Sequence, residues 1–153
     1  MYGAANDHLY AVTRASGNEL WKPIEIRRPV EGRERSVQVH ALVDAGTALI
    51  GTTAGFLIAF DKSTGATRWE IAGKFGENSP SLAVAGNVLY FQGRLDPEAA
   101  DSRGMLHALD LDTQKILWSF SRKTAEPNWS FGYVTPVDDG LWVDSYKALV
   151  KLQ

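Results

Sequence analysis

Ala59-Phe60-Asp61-Lys62-Ser63-Thr64-Gly65-Ala66-Thr67-Arg68-Trp69 decides the fold, because the chain carries the same pattern twice more. An earlier copy reads Ala11-Val12-Thr13-Arg14-Ala15-Ser16-Gly17-Asn18-Glu19-Leu20-Trp21. A later one reads Ala108-Leu109-Asp110-Leu111-Asp112-Thr113-Gln114-Lys115-Ile116-Leu117-Trp118. The closing tryptophans stand 48 and 49 residues apart (69 − 21 and 118 − 69). Self-similarity at a fixed period marks a repeat architecture.

Working outward, each copy sits in the same order of short strands. A first strand runs into a turn with glycine: Val39–Val43 before Gly46, Ser81–Val84 before Gly86, Tyr133–Val137 before Gly140. A second follows at Ala48–Ile50, Val88–Phe91 and Leu141–Val143. The third is Leu9–Val12, Leu57–Phe60, Leu106–Leu109 or Leu149–Leu152, and the fourth carries the tryptophan. Short strands at regular spacing between turn signals argue for an all-β chain. Four-stranded antiparallel units repeated in this way are the blades of a β-propeller. The expected layout is one partial propeller domain over 1–153, with two full blades (37–71 and 79–120) and two partial ones (1–22 and 130–153). No stretch reads as a helix.

The repeated residues have readable jobs. Small Ala11, Ala59 and Ala108 leave space beside them for a large neighbour, and an indole suits it. Gly17 and Gly65 allow a left-handed turn residue. Gln114 in the third copy predicts a tighter or differently shaped turn. Ser16, Thr64 and Thr113 can bond nearby backbone groups. Two stretches break the period, residues 22–36 and Leu95–Gly104, and both read as loops. Arg27, Arg28, Arg33 and Arg35 in the first are interleaved with Glu25, Glu31 and Glu34, which reads as a solvated loop.

Composition excludes several functions. The 153 residues are 44% hydrophobic and 22% charged, with net charge −2, so no electrostatic footprint for nucleic acid is expected. Without cysteine there is neither disulfide nor thiolate chemistry. No apolar run reaches the ~20 residues of a membrane span. No charged-then-apolar segment opens the chain, so no signal peptide is read there. His8, His40 and His107 lack metal-ligand spacing, and His107 falls on a strand as a packed or rim residue. Asp138-Asp139 and Asp96/Glu98 are acidic pairs, but an aspartate before Gly140 is turn chemistry. No nucleophile, base and orienting group assemble; the expectation is a non-enzyme without cofactor or metal. Trp129, Phe131 and Tyr133 alternate at period two and are the candidate partner-binding strip, against an inter-blade core role.

The pattern Ala-x-Asp-x-x-Thr-Gly-x-x-x-Trp resembles the tryptophan-docking repeat of pyrroloquinoline-quinone-like (quinoprotein-type) β-propellers. Ala59, Asp61, Thr64, Gly65 and Trp69 match it fully. The other copies depart from it at Thr13 for aspartate and at Gln114 for glycine. The resemblance implies a propeller of about eight blades in its enzymes, which bind the quinone with calcium or a lanthanide beneath a vicinal disulfide. Other relatives keep only the scaffold: the lipoprotein of the outer-membrane β-barrel assembly machinery, and sensor or scaffold domains of bacterial proteins. A chain without cysteine fits the second group, in a bacterial, extracytoplasmic setting. The expected partner is a protein, or further blades from the same or another chain. Joining the terminal pieces gives about three blades, too few to close. A fragment of a longer propeller and a homo-oligomer that completes a ring are both open, as are a dehydrogenase fragment and a small-molecule sensor.

Overall fold

The computed structural model describes residues 1–30, 32–53, 55–73, 75, 81–93, 95, 105–120, 131–145 and 148–152. All regular structure among them is strand. The first sheet is β1 (Tyr2–Ala5), β2 (His8–Val12) and β3 (Glu19–Glu25); a two-stranded hairpin follows, β4 (Arg27–Val30) and β5 (Arg33–Ser36). A four-stranded sheet comprises β6 (Ala41–Ala45), β7 (Ala48–Thr52), β8 (Phe56–Asp61) and β9 (Thr67–Ala72). A second comprises β10 (Leu82–Ala85), β11 (Val88–Gln92), β12 (Leu106–Asp110) and β13 (Ile116–Phe120). The last sheet is β14 (Phe131–Val137), β15 (Gly140–Ser145) and β16 (Ala148–Leu152).

Every sheet orders its strands as the chain does, antiparallel neighbour to neighbour. That is the form of a propeller blade, and it needs only tight local turns. The outer sheets have three strands each, more together than the four of one blade.

The chain divides into two compact units, Met1–Ala72 and Gly73–Gln153. In the first, Leu9, Ile26, Val39, Leu49, Ile58 and Phe60 form a buried cluster, with Tyr2, Trp21, Ile24 and Phe56 packed on it. Leu57, Ile58, Ala59 and Phe60 are all buried, so β8 is covered on both faces. The leucine, isoleucine and phenylalanine side chains among them each contribute ~1.5–3 kcal/mol on being taken from water. In the second unit Leu106, Val134, Leu141 and Val143 form the corresponding cluster. There the Val134 N–H donates to the buried Ser81 hydroxyl (2.8 Å), joining β14 to the residue that precedes β10.

Residues 22–36, expected as a loop, instead lengthen β3 to Glu25 and then form the β4–β5 hairpin. Arg27 pairs with Ser36, Arg28 with Arg35, Pro29 with Glu34 and Val30 with Arg33. The hairpin is anchored by backbone: Ile26 N–H donates to the Asp7 carbonyl and Val37 N–H to the Ile26 carbonyl, both at 2.8 Å.

Candidate functional site

The repeated motif builds a turn between the third and fourth strands. In the middle copy the Asp61 carboxylate accepts from the Ser63 N–H (2.9 Å), the Thr64 N–H (3.1 Å) and the Ser63 hydroxyl. Arg68 Nε donates to its other oxygen at 3.0 Å. The Ser63 hydroxyl first, then Arg68, hold the Asp61 carboxyl well below the usual carboxylate range. Gly65 N–H closes the turn on the Asp61 carbonyl at 2.7 Å.

The other copies reach the same shape with different chemistry. Asp110 accepts from the Thr113 N–H (2.7 Å) and hydroxyl (2.8 Å), which lowers its pKa. In the first copy Thr13 takes the aspartate's place and its hydroxyl pairs with that of Ser16 at 2.6 Å. Gly17 N–H closes on the Thr13 carbonyl (3.0 Å), and Gln114 N–H closes on the Asp110 carbonyl (2.8 Å). Gln114 adopts φ +58°, alongside +71° at Gly17 and +74° at Gly65. The altered turn expected from Gln114 does not occur. The closing hydrogen bond holds the glutamine in the left-handed region, where it costs ~1–2 kcal/mol.

Across each turn the alanine faces the tryptophan in direct register: Ala11 with Trp21, Ala59 with Trp69, Ala108 with Trp118. Trp21 then reaches the next sheet. Its Nε1–H donates to the Lys62 carbonyl at 3.3 Å, and its ring lies against Gly65. A Cβ at Gly65 would meet Ile24 Cδ1 at 2.1 Å and Trp21 Cε2 at 3.4 Å. In the second unit Trp118 is 39% exposed and packs its ring on Tyr90, with centroids 6.0 Å apart. The two rings, with Phe120, Leu141, Lys151 and Leu152, line a groove of about 780 Å³.

Of the aromatic strip, Trp129 lies outside the described residues, and Phe131 begins β14. Tyr133 is 78% exposed, next to buried Val134. A register shift falls between Phe131 and Val134, so simple alternation does not carry from one end of the strip to the other. Reading the sequence missed the face on which the last sheet shows its other large side chains. Trp142 pairs with Thr135 and Lys151, Asp144 pairs with Leu149, and Trp142 and Leu149 are both exposed. Val134, Leu141 and Val143 occupy the opposite, buried face. Alternation along β15, Leu141-Trp142-Val143, was the signal that could have found this face.

His107 is a core residue. It stacks on Phe91 at 5.0 Å, its Nε2–H donates to the Gly93 carbonyl (3.1 Å), and its Nδ1 pairs with the Ser119 hydroxyl (2.7 Å). Burial lowers its pKa. Among the described residues no three or more acidic or histidine side chains gather as metal ligands. Among the described residues no helix is long and apolar enough to cross a membrane.

Blades of consecutive antiparallel strands, three of them closed by the same turn and tryptophan, define a partial β-propeller of quinoprotein-type repeats. The family model described as "Outer membrane protein assembly factor BamB" matches residues 5–140, and the chain belongs to this PQQ-like repeat family. BamB from Moraxella catarrhalis superposes with a TM-score of 0.62 at 24% identity, over 96% of this chain and 40% of that one. The quinohemoprotein alcohol dehydrogenase of Comamonas testosteroni gives 0.61 at 18% identity, over 93% of this chain and 30% of that one. In sequence, 130 residues are 30% identical to quinohemoprotein alcohol dehydrogenase ADH IIB of Pseudomonas putida. The match spans 78% of this chain but 18% of that enzyme.

Proposed function

We propose that the chain is a non-catalytic propeller scaffold that mediates protein–protein interaction or assembly, its three- and four-stranded sheets being consecutive blades of one domain. The observation that carries this reading is the exposed face of the last sheet. Tyr133, Trp142 and Leu149 are large apolar side chains facing solvent over a buried Val134–Leu141–Val143 layer. Aromatic side chains on a rigid sheet supply contact area at low conformational cost, which suits a protein partner or a further blade. Similarity to an assembly factor supports the same reading.

The test is a photo-reactive phenylalanine analogue at position 133, with cross-linked species identified by mass. The scaffold reading expects a discrete protein adduct that Leu149→Ser reduces. No protein adduct under any condition would contradict it. A second reading, part of a quinoprotein dehydrogenase, is favoured by the identity to ADH IIB. Spectral titration with pyrroloquinoline quinone and calcium separates the two: saturable one-to-one binding would support the dehydrogenase, and a flat titration the scaffold.

A further inference from the structure

One junction within the chain shows what the tryptophan of the repeat holds when it is covered. Tyr2, Ala11 and Trp21 stand side by side across β1, β2 and β3, and Ile24 stands opposite Leu9. These residues receive the turn of the next repeat. Trp21 Nε1–H donates to the Lys62 carbonyl at 3.3 Å, and Lys62 Nζ lies 5.2 Å from the centre of the Tyr2 ring. Ile24 and Trp21 close over Gly65, which is buried.

The second unit builds the same receptacle. Tyr90 pairs with Ala108, Ala108 with Trp118, and Leu106 with Phe120. Tyr90, Trp118 and Phe120 therefore take the places of Tyr2, Trp21 and Ile24. All three line the groove of about 780 Å³, with Asp138 and Leu141 contributed by the last sheet. Trp118 is 39% exposed there.

The covered junction also defines what such a groove accepts. The turn seated on Trp21 offers a cation, Lys62, and three residues later a glycine at positive φ, Gly65. In the first repeat Arg14 and Gly17 hold these two positions; in the third, Leu111 and Gln114 do. The first repeat thus has both features, and its residues 14–20 are all exposed, Gly17 among them at φ +71°.

We propose that the groove docks the turn at residues 14–17 of a second copy of this chain. The Arg14 carbonyl of that copy accepts from Trp118 Nε1–H, and its guanidinium lies over the Tyr90 ring as a cation–π contact. Gly17 brings its backbone against the indole with no side chain between them. Asp138 in the groove complements the Arg14 charge. The contact is head to tail, so it recurs from copy to copy unless a ring closes. The proposal rests on the scaffold reading and names one partner, a blade of an identical chain.

The test measures the mass of the full chain by light scattering over a dilution series, with a melting curve for each variant. The wild type is expected to associate. Trp118→Ala and Gly17→Gln should each weaken association about tenfold or more. Glutamine is a tolerable choice because it already holds the same turn position at 114, with φ +58°. Mixed in equal amounts, the two variants should form a one-to-one pair, since one keeps the tryptophan and the other keeps the turn. Arg14→Gln should weaken association roughly threefold, and Arg14→Glu more. A monomer at every concentration, variants that associate as the wild type does, or folded variants whose mixture is no heavier than its components would each overturn the proposal. If Trp118→Ala does not fold, Arg14→Glu decides: wild-type association in that variant overturns it. A monomer that still forms the adduct at position 133 removes this proposal and leaves the scaffold reading standing. Loss of that adduct removes the scaffold reading itself.

Discussion

The turn at Asp61–Gly65 and the turn at Thr13–Gly17 are the same turn in two settings. Both close on an N–H to carbonyl hydrogen bond, and both hold glycine at positive φ. Gly65 lies beneath Ile24 and Trp21, whereas a Cβ at Gly17 would meet nothing within 4 Å. The first glycine is required by backbone angle and by close approach, the second by angle alone. One motif is thus a lock where a neighbouring sheet covers it and a plain surface turn where none does. Trp21 joins its sheet to the next through the Lys62 carbonyl and Gly65, and the binding surface proposed on the last sheet is one that the repeat does not use.

Substitutions that break the covered turn should have the largest effect. Gly65→Ala forces a left-handed Cβ into Ile24 and should cost about 2–3 kcal/mol in urea unfolding, with the slope unchanged. Trp21→Ala removes the half-buried indole and its bond to the Lys62 carbonyl, and should cost a similar ~2–3 kcal/mol. Gly17→Ala retains only the conformational penalty, about 1 kcal/mol. Equal losses at 65 and 17 would mean that Trp21 and Ile24 do not cover Gly65 in solution. Gln114→Gly runs the other way: it relieves the left-handed glutamine but frees the unfolded chain, for a net gain of about 0.5 kcal/mol. A loss there would show that the glutamine side chain contributes to the turn.

Acid unfolding sharpens the comparison at the junction between the first sheet and the hairpin. The hydrogen bond from Arg27, then that from Ser36, lowers the Glu25 pKa from its ordinary 4.5 to about 2. A carboxylate with a depressed folded pKa stabilises above its unfolded pKa, and that stabilisation is lost as pH falls through the folded value. The wild type should therefore lose stability between pH 4.5 and about 2 more steeply than Glu25→Gln. Superimposable acid limbs would show that the Arg27 contact is not formed in solution.

Much of the fold was legible because the repeat announces itself. The register of Ala59 with Trp69 follows from a motif whose every position has a local job, and the strand order follows from turn chemistry. The hairpin was illegible because Arg27–Val30 and Arg33–Ser36 carry charge on both faces and show no apolar alternation, the main sequence sign of a strand. Gln114 misled for a related reason. A single residue's preference of ~1–2 kcal/mol yields to a turn fixed by Asp110 and Thr113. The site was read less well than the fold. Tyr133 was singled out by aromatic spacing, but the bulge after Phe131 and the exposed Trp142 and Leu149 depend on cross-strand neighbours that spacing does not reveal.

The central claim is that the exposed face of the last sheet binds protein while the repeat motif only holds the blades. The most direct measurement pairs the melting temperature with cross-linking yield from position 133, in Trp142→Ser with Leu149→Ser and in Trp21→Ala. The account predicts a nearly unchanged melt and a lost adduct for the first variant, and a lowered melt with the adduct retained below the transition for the second. A destabilised first variant that still forms the adduct would contradict it, because Trp142 and Leu149 would then be core and the binding surface would lie elsewhere.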